Sequence, residues 1–239
     1  MPRRPTRQAA KQPQSGPAPE RGLPAMLREI YQRLYQRYGP QGWWPGDGPL
    51  DVVIGAILTQ AAAWTNVERA VANLRGADCL TWPALRAISA EDLGELIRPS
   101  GYFRVKSKRL KAFTDVICRD FGGSLDRLLD GGIDAARERL LAIHGIGPET
   151  ADSILLYAGG RPSFVIDTYT HRMVRRHFLI DGEADYEGLR AMFQAVVDPD
   201  TGVYNEYHAL IVRVGKEHCR VRARCDGCPI AHLPHDETL

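Results

Sequence analysis

The stretch that decides the fold is Leu141-Ala-Ile-His-Gly-Ile-Gly-Pro-Glu-Thr-Ala-Asp-Ser-Ile-Leu-Leu-Tyr157, followed by Gly-Gly-Arg-Pro and then Phe164-Val-Ile-Asp167. Arg137 to Ile143 carry a helical apolar pattern, and Gly145 and Gly147 bracket Ile146 in a turn too tight for another regular element. Gly147 as N-cap, Pro148 as first helical residue and Glu149 in the first turn then start a second helix. The prediction is helix, hairpin, helix. Backbone N–H groups at such a hairpin and at the helix N-terminus suit an anion, and a DNA phosphate fits that concave surface. A lone Gly-Ile-Gly is more commonly an ordinary helix–helix connection. Asp167, alone at the end of an apolar run and followed by Thr168, changes the reading, because a carboxylate near a phosphate grip suggests chemistry on the adjoining nucleotide.

With 239 residues, 44% of them hydrophobic, the chain can bury one large or two small cores. Helical periodicity dominates and alternating β-branched runs are scarce, which predicts an all-α fold. A net charge of +2 does not announce nucleic acid by itself. The basic stretches Arg104 to Lys111, Arg172 to His177 and Lys216 to Arg224 say more, since beside a phosphate-gripping hairpin they make a DNA footprint. No secretory leader pattern or bilayer-length apolar run is present, so the expectation is a cytoplasmic protein with no membrane partner. Five cysteines, three of them clustered, then suggest a metal site ahead of disulfides.

Residues 1–22 have the composition of a disordered basic tail. Leu27, Ile30, Tyr31, Leu34 and Tyr38 mark a first amphipathic helix. A Gly/Pro loop then presents Trp43 and Trp44, two rings that either plug a core or offer a stacking face to a ligand. Leu50 to Leu58 reads as a buried helix stopping at Thr59-Gln60. Shorter helices are predicted over 67–74, 82–88, 91–97, 107–121, 125–129 and 137–143, and after Asp167 over 170–179, 186–197 and 203–214.

Gly145-Ile-Gly-Pro-Glu-Thr-Ala-Asp152, the spacing to Val165-Ile-Asp-Thr168 and the C-terminal cysteines together resemble the helix-hairpin-helix DNA glycosylases of the endonuclease III superfamily. The resemblance implies two helical domains with the active-site cleft between them. One, a six-helix barrel with the helix-hairpin-helix, would span 46–159. The other, built from the first and C-terminal helices, would span 23–45 and 160–239. It implies double-stranded DNA containing damaged bases as the partner, with the protein acting as a monomer, and a DNA-binding contact through Gly145, Ile146 and Gly147. Asp167 matches the catalytic aspartate, whereas Asp152 matches nothing and reads as an ordinary helix residue. Ala56-Ile-Leu-Thr-Gln60 resembles the place where a glutamine fills the gap left by the extruded nucleotide. Trp64 stands where a polar residue is usual, which makes Trp43, Trp44 and Trp64 a base pocket richer in stacking surface.

Hydrolysis of an N-glycosidic bond passes through oxocarbenium character that a carboxylate stabilises. Members with lyase activity use a lysine that forms a Schiff base, and Glu149 holds its place here. Glu149 therefore predicts a monofunctional glycosylase, and it also suits a helix first turn. The tryptophan pair, the Arg98-Pro-Ser-Gly turn and Glu149 look most like the 3-methyladenine DNA glycosylase III branch, which removes alkylated purines. The open alternatives are a bifunctional oxidised-pyrimidine glycosylase/lyase and a catalytically weak damaged-DNA-binding protein. Cys219, Cys225 and Cys228 nearly reproduce the family's [4Fe–4S] loop, with the first gap one residue short and Pro234 near the place of the fourth cysteine. A cluster would need a non-cysteine ligand from His232, His235, Asp236 or an exogenous group, with His235 preferred. A zinc site, or no metal, is the alternative.

Overall fold

The computed structural model describes residues 22–180, 182 and 184–238, so the predicted tail falls, but for its last residue, outside the described residues. Twelve α-helices and no strand occur among the described residues, and the chain is all-α as its periodicity predicts. None of its helices is long and apolar enough to cross a membrane among the residues described.

Helix α1 (Leu23–Tyr38) buries a stripe of Met26, Leu27, Ile30 and Leu34. Helix α2 (Pro49–Leu58) is buried continuously from Val52 to Leu58, because it runs through the middle of a core. Around it close α3 (Trp64–Gly76), α4 (Trp82–Ala87), α5 (Ala90–Leu96), a 3₁₀ turn at Arg98–Ser100, α6 (Phe103–Asp120), α7 (Leu125–Leu128), α8 (Ile133–Leu141) and α9 (Pro148–Ser153). Helix α9 continues into a π-helical turn, Ile154–Ala158. Then follow α10 (Thr168–Arg176), α11 (Tyr186–Val196) and α12 (Thr201–Glu217).

Two apolar cores result. The first gathers α2 to α9 around Ile54, Ile57, Leu110 and Phe113. The second gathers α1, the 164–166 segment and α10 to α12 around Ile30, Phe164, Phe193 and Tyr207. The chain changes core inside the π turn: Leu155 packs in the first and Leu156 in the second.

Three expectations are corrected. Helix α6 begins at Phe103, ahead of the predicted Ser107, because Gly101 (φ +69°) and Tyr102 (φ +44°) turn the chain sharply through left-handed backbone into the helix. Asp152 is no ordinary helix residue. It is fully buried, pairs with Arg137 at 2.9 Å and Arg190 at 3.5 Å, and accepts from Ser163 Oγ at 2.5 Å and Tyr186 Oη at 2.8 Å. The basic stretches, finally, are partly internal. Lys106 is 1% exposed and donates to Leu58 O and Ser100 O, both at 2.7 Å, while Lys111 caps the end of α4 through the carbonyls of Leu85, Arg86 and Ile88. Arg176 is also 1% exposed.

Candidate active site

The hairpin between α8 and α9 is held from inside. Ile146 is buried in the first core and its N–H donates to Ile143 O at 3.1 Å, so the side chain anchors the turn. Gly145 has φ +85°, and a Cβ there would run into the Arg109 side chain, so glycine is required on both counts. Gln60, at the end of the turn after α2, lies against this hairpin: its Nε2 donates to Gly145 O at 3.1 Å and Thr150 Oγ1 at 2.9 Å, and its Oε1 accepts from Arg109.

Asp167 stands on the second core, opposite. It is the N-cap of α10, and Oδ1 accepts from Thr170 N at 2.7 Å and Thr170 Oγ1 at 2.9 Å. One carboxylate oxygen is thereby committed to fixing the side chain. The other, Oδ2, lies 3.7 Å from His208 Nε2 on α12.

Between the two cores is a cavity of about 700 Å³ lined by Trp43, Trp44, Gln60, Trp64, Glu149 and Asp167, among others. The three tryptophans form one aromatic cluster, with Trp44 edge-on to Trp64 at 5.1 Å between ring centres and Trp43 at 5.5 Å from Trp44. Trp44 also rests on α2, where a Cβ on Gly55 would stand 3.2 Å from its indole. Water reaches Glu149 along the open cleft, yet the protein crowding its flanks and then the charge of Asp167 push its carboxyl up to about 7. Two carboxyl groups, Glu149 and Asp167, thus share the cavity. His208, Lys216 and Thr150 also line it, and sequence reading placed none of the three there, taking Lys216 only as part of a basic stretch. His208 gave a signal only as a polar residue within the apolar pattern of α12.

The C-terminal loop lies on the second core. Cys225, His235 and Glu237 bring donor atoms within 4.8 Å of one another. Cys219 Sγ accepts from Arg176 at 3.0 Å, and Cys228 is half-buried beside the same core. His232 pairs instead with Glu29 of α1 at 2.9 Å, and Asp236 accepts from Thr238, so the non-cysteine donors beside Cys225 are His235 and Glu237. Cys79 and Cys118 pack with the first core, so the loop supplies three thiols.

The family model described as HhH-GPD superfamily base excision DNA repair protein matches residues 54–199. A Methanocaldococcus jannaschii protein named as a DNA repair glycosylase is 45% identical over 206 residues, covering 86% of this chain and 94% of its own. Endonuclease III of Thermotoga maritima is 26% identical over 204 residues, 85% of this chain and 89% of its own. Among solved structures, the 3-methyladenine DNA glycosylase of H. pylori bound to 1,N6-ethenoadenine superposes with TM-score 0.68 at 26% identity, covering 82% of this chain and 98% of that one. A non-covalent endonuclease III–DNA complex shares the fold with TM-score 0.77 at 18% identity, covering 88% and 94%. The chain belongs to the HhH-GPD superfamily of base-excision DNA repair proteins, as a DNA glycosylase.

Proposed function

We propose that the protein is a monofunctional glycosylase that extrudes an alkylated purine into the tryptophan-walled cavity and hydrolyses its N-glycosidic bond. The observation that carries this reading is the placement of Asp167 and Glu149 around one aromatic cavity with glutamate at the hairpin position. A methylated purine is cationic and flat: the indole faces attract it by stacking and cation–π interaction, and the Glu149 carboxylate adds a counter-charge. Asp167 Oδ2, fixed by the capping of Oδ1, stabilises the oxocarbenium-like sugar and orients water for attack. Gly145 and Gly147 grip phosphate, and Gln60, starting from its seat on the hairpin, fills the space the base vacates.

The test is incubation with duplexes carrying 3-methyladenine or thymine glycol, each developed with and without alkali. Strand cleavage at the alkylated base only after alkali is expected, and Asp167→Asn should abolish it while lesion binding persists. Cleavage at thymine glycol without alkali would overturn the reading. A second reading, a lyase with a displaced amine, is favoured by one observation: Lys216 lines the same cavity, its Nζ 5.8 Å from the Trp43 ring centre. Borohydride trapping on abasic DNA, lost in Lys216→Met, would establish it.

We infer that the loop holds a metal group through Cys219, Cys225 and Cys228 with His235 as the non-cysteine ligand, a [4Fe–4S] cluster first and zinc second; the support is three thiols in one loop and the Cys225, His235 and Glu237 donor atoms within 4.8 Å of one another. Such a group would supply structure, pinning the loop and its Arg220, Arg222 and Arg224 against the duplex. Iron with acid-labile sulfide and a visible absorption band is expected, and zinc content without that band would select the alternative. Removing either metal should lower Tm, and Cys225→Ser should reproduce the loss.

A further inference from the structure

Asp167 Oδ2 faces the cavity with His208 Nε2 as its near protein neighbour at 3.7 Å. His208 is 5% exposed, and Nε2 is buried without a hydrogen-bond partner among the described residues. Its other nitrogen, Nδ1, lies 2.6 Å from Tyr157 Oη, contributed by the π turn where the chain changes core. A π-helical turn at such a place displaces a side chain by about one residue relative to a regular helix, and such turns gather at functional sites.

The protonation states order this chain. Burial, and then the negative charge of Asp167, hold the Tyr157 phenol well above its ordinary range, so it keeps its proton. Burial lowers the His208 imidazole below the usual histidine range, with Asp167 opposing, so the ring is neutral at neutral pH. When Tyr157 O–H donates to Nδ1, a neutral ring must carry its proton on Nε2, the atom aimed at Asp167. Nearby ionisable groups in the cavity are Glu149 on α9 and Lys216 on α12.

We propose that His208, its tautomer set by Tyr157, is the positioning residue for Asp167: its neutral Nε2–H closes onto Oδ2 when the damaged nucleotide enters and holds that oxygen toward the sugar. A distance of 3.7 Å is too long for a hydrogen bond before substrate arrives, and a small rotation of the carboxylate about its fixed Oδ1 closes it. Neutrality matters to the chemistry. An imidazolium would form an ion pair with Asp167 and weaken the field that favours the oxocarbenium-like transition state, whereas a neutral donor orients the oxygen and leaves its charge intact. The inference rests on the glycosylase reading for its consequence in rate; the tautomer rests on the 2.6 Å contact between Tyr157 Oη and His208 Nδ1 together with the burial that keeps both groups neutral.

Two measurements test it. In single-turnover base release, His208→Leu should fall about ten- to a hundredfold, the loss expected for a hydrogen bond to a charged group, with Kd for lesion duplex unchanged. His208→Gln, which can place an amide N–H toward Oδ2, should recover most of the rate, and Tyr157→Phe should lose several-fold. A folded His208→Leu that releases base at the wild-type rate overturns the proposal, as does an equal loss in the Leu and Gln variants. Long-range ¹⁵N–¹H spectra of the full chain supply a readout free of activity: His208 should appear as the neutral Nε2–H tautomer at pH 7 and shift in Asp167→Asn. An Nδ1–H tautomer or an imidazolium overturns the proposal even in a protein that releases no base. Absence of base release by wild type, with the Nε2–H tautomer present, would instead count against the glycosylase reading alone.

Discussion

At the scale of single residues, Glu149 shows how identity and environment divide. Its identity was legible: a glutamate two residues beyond Gly147, where the resemblance implies a lysine in lyase-active members. Its environment was not, because Asp167 comes from the other core and only the closed fold brings the two carboxyl groups into one cavity. The consequence is a pH signature. A carboxyl raised from 4.5 to about 7 binds more protons folded than unfolded between those values, so its favourable contribution is complete at low pH and is lost as pH rises through 7. Glu149→Gln should therefore match wild type in Tm near pH 4 and exceed it increasingly up to pH 8. A pH-independent difference would show that the carboxyl is not raised. The same titration should reach substrate binding: KM for a cationic alkylated base should improve as pH rises through about 7 in wild type and stay flat in Glu149→Gln. His208 was hidden for a related reason, since a polar residue inside an apolar helical stripe carries no mark of which carboxylate will lie opposite it.

At the scale of elements, side-chain caps open several helices. Ser89, Ser124, Asp185 and Asp200 each accept from the backbone at the start of a helix, and Asp167 does so while serving as the candidate catalytic group. Two helices without such a cap start ahead of the sequence prediction: α6 from left-handed Tyr102 and α8 from Gly132. The Asp152 knot was invisible for a different reason, its partners being spread over α8, α11 and the 163 position. It fastens α9, and so the hairpin and Glu149, to the second core. Arg137 and Arg190 are only 12% and 13% exposed in their side chains, and neutralising Asp152 would leave them to share Glu187, 2.6 and 3.7 Å away and half-exposed. Asp152→Asn, although nearly isosteric, should cost about 1.5–3 kcal/mol in denaturant unfolding, the loss expected for hydrogen bonds to a charged group. A loss below about 1 kcal/mol would mean that solvent already compensates the arginines.

At the scale of the whole molecule, the sequence reading placed DNA along its basic stretches, and the fold sorts those charges into two kinds. Arg104 and Lys108 on α6 and Arg222 and Arg224 in the C-terminal loop are exposed, whereas Lys106 and Lys111 on the same helix are spent on backbone carbonyls. Linear charge could not reveal this, because a helical turn separates neighbours in sequence onto opposite faces. The two kinds should respond differently to substitution. Each exposed residue that meets a phosphate should, on change to alanine, reduce the slope of log K against log salt by about 1 and weaken damaged and undamaged duplexes alike. Lys106→Met should leave that slope unchanged and instead destabilise the fold, since Leu58 O and Ser100 O lose their donor, at about 1–3 kcal/mol for each orphaned carbonyl. If alanine at Arg104, Lys108, Arg222 and Arg224 together left the salt slope intact, these charges would be a solvated face. The duplex would then be held by the hairpin and the cleft rim, and the C-terminal loop would serve the fold rather than the DNA.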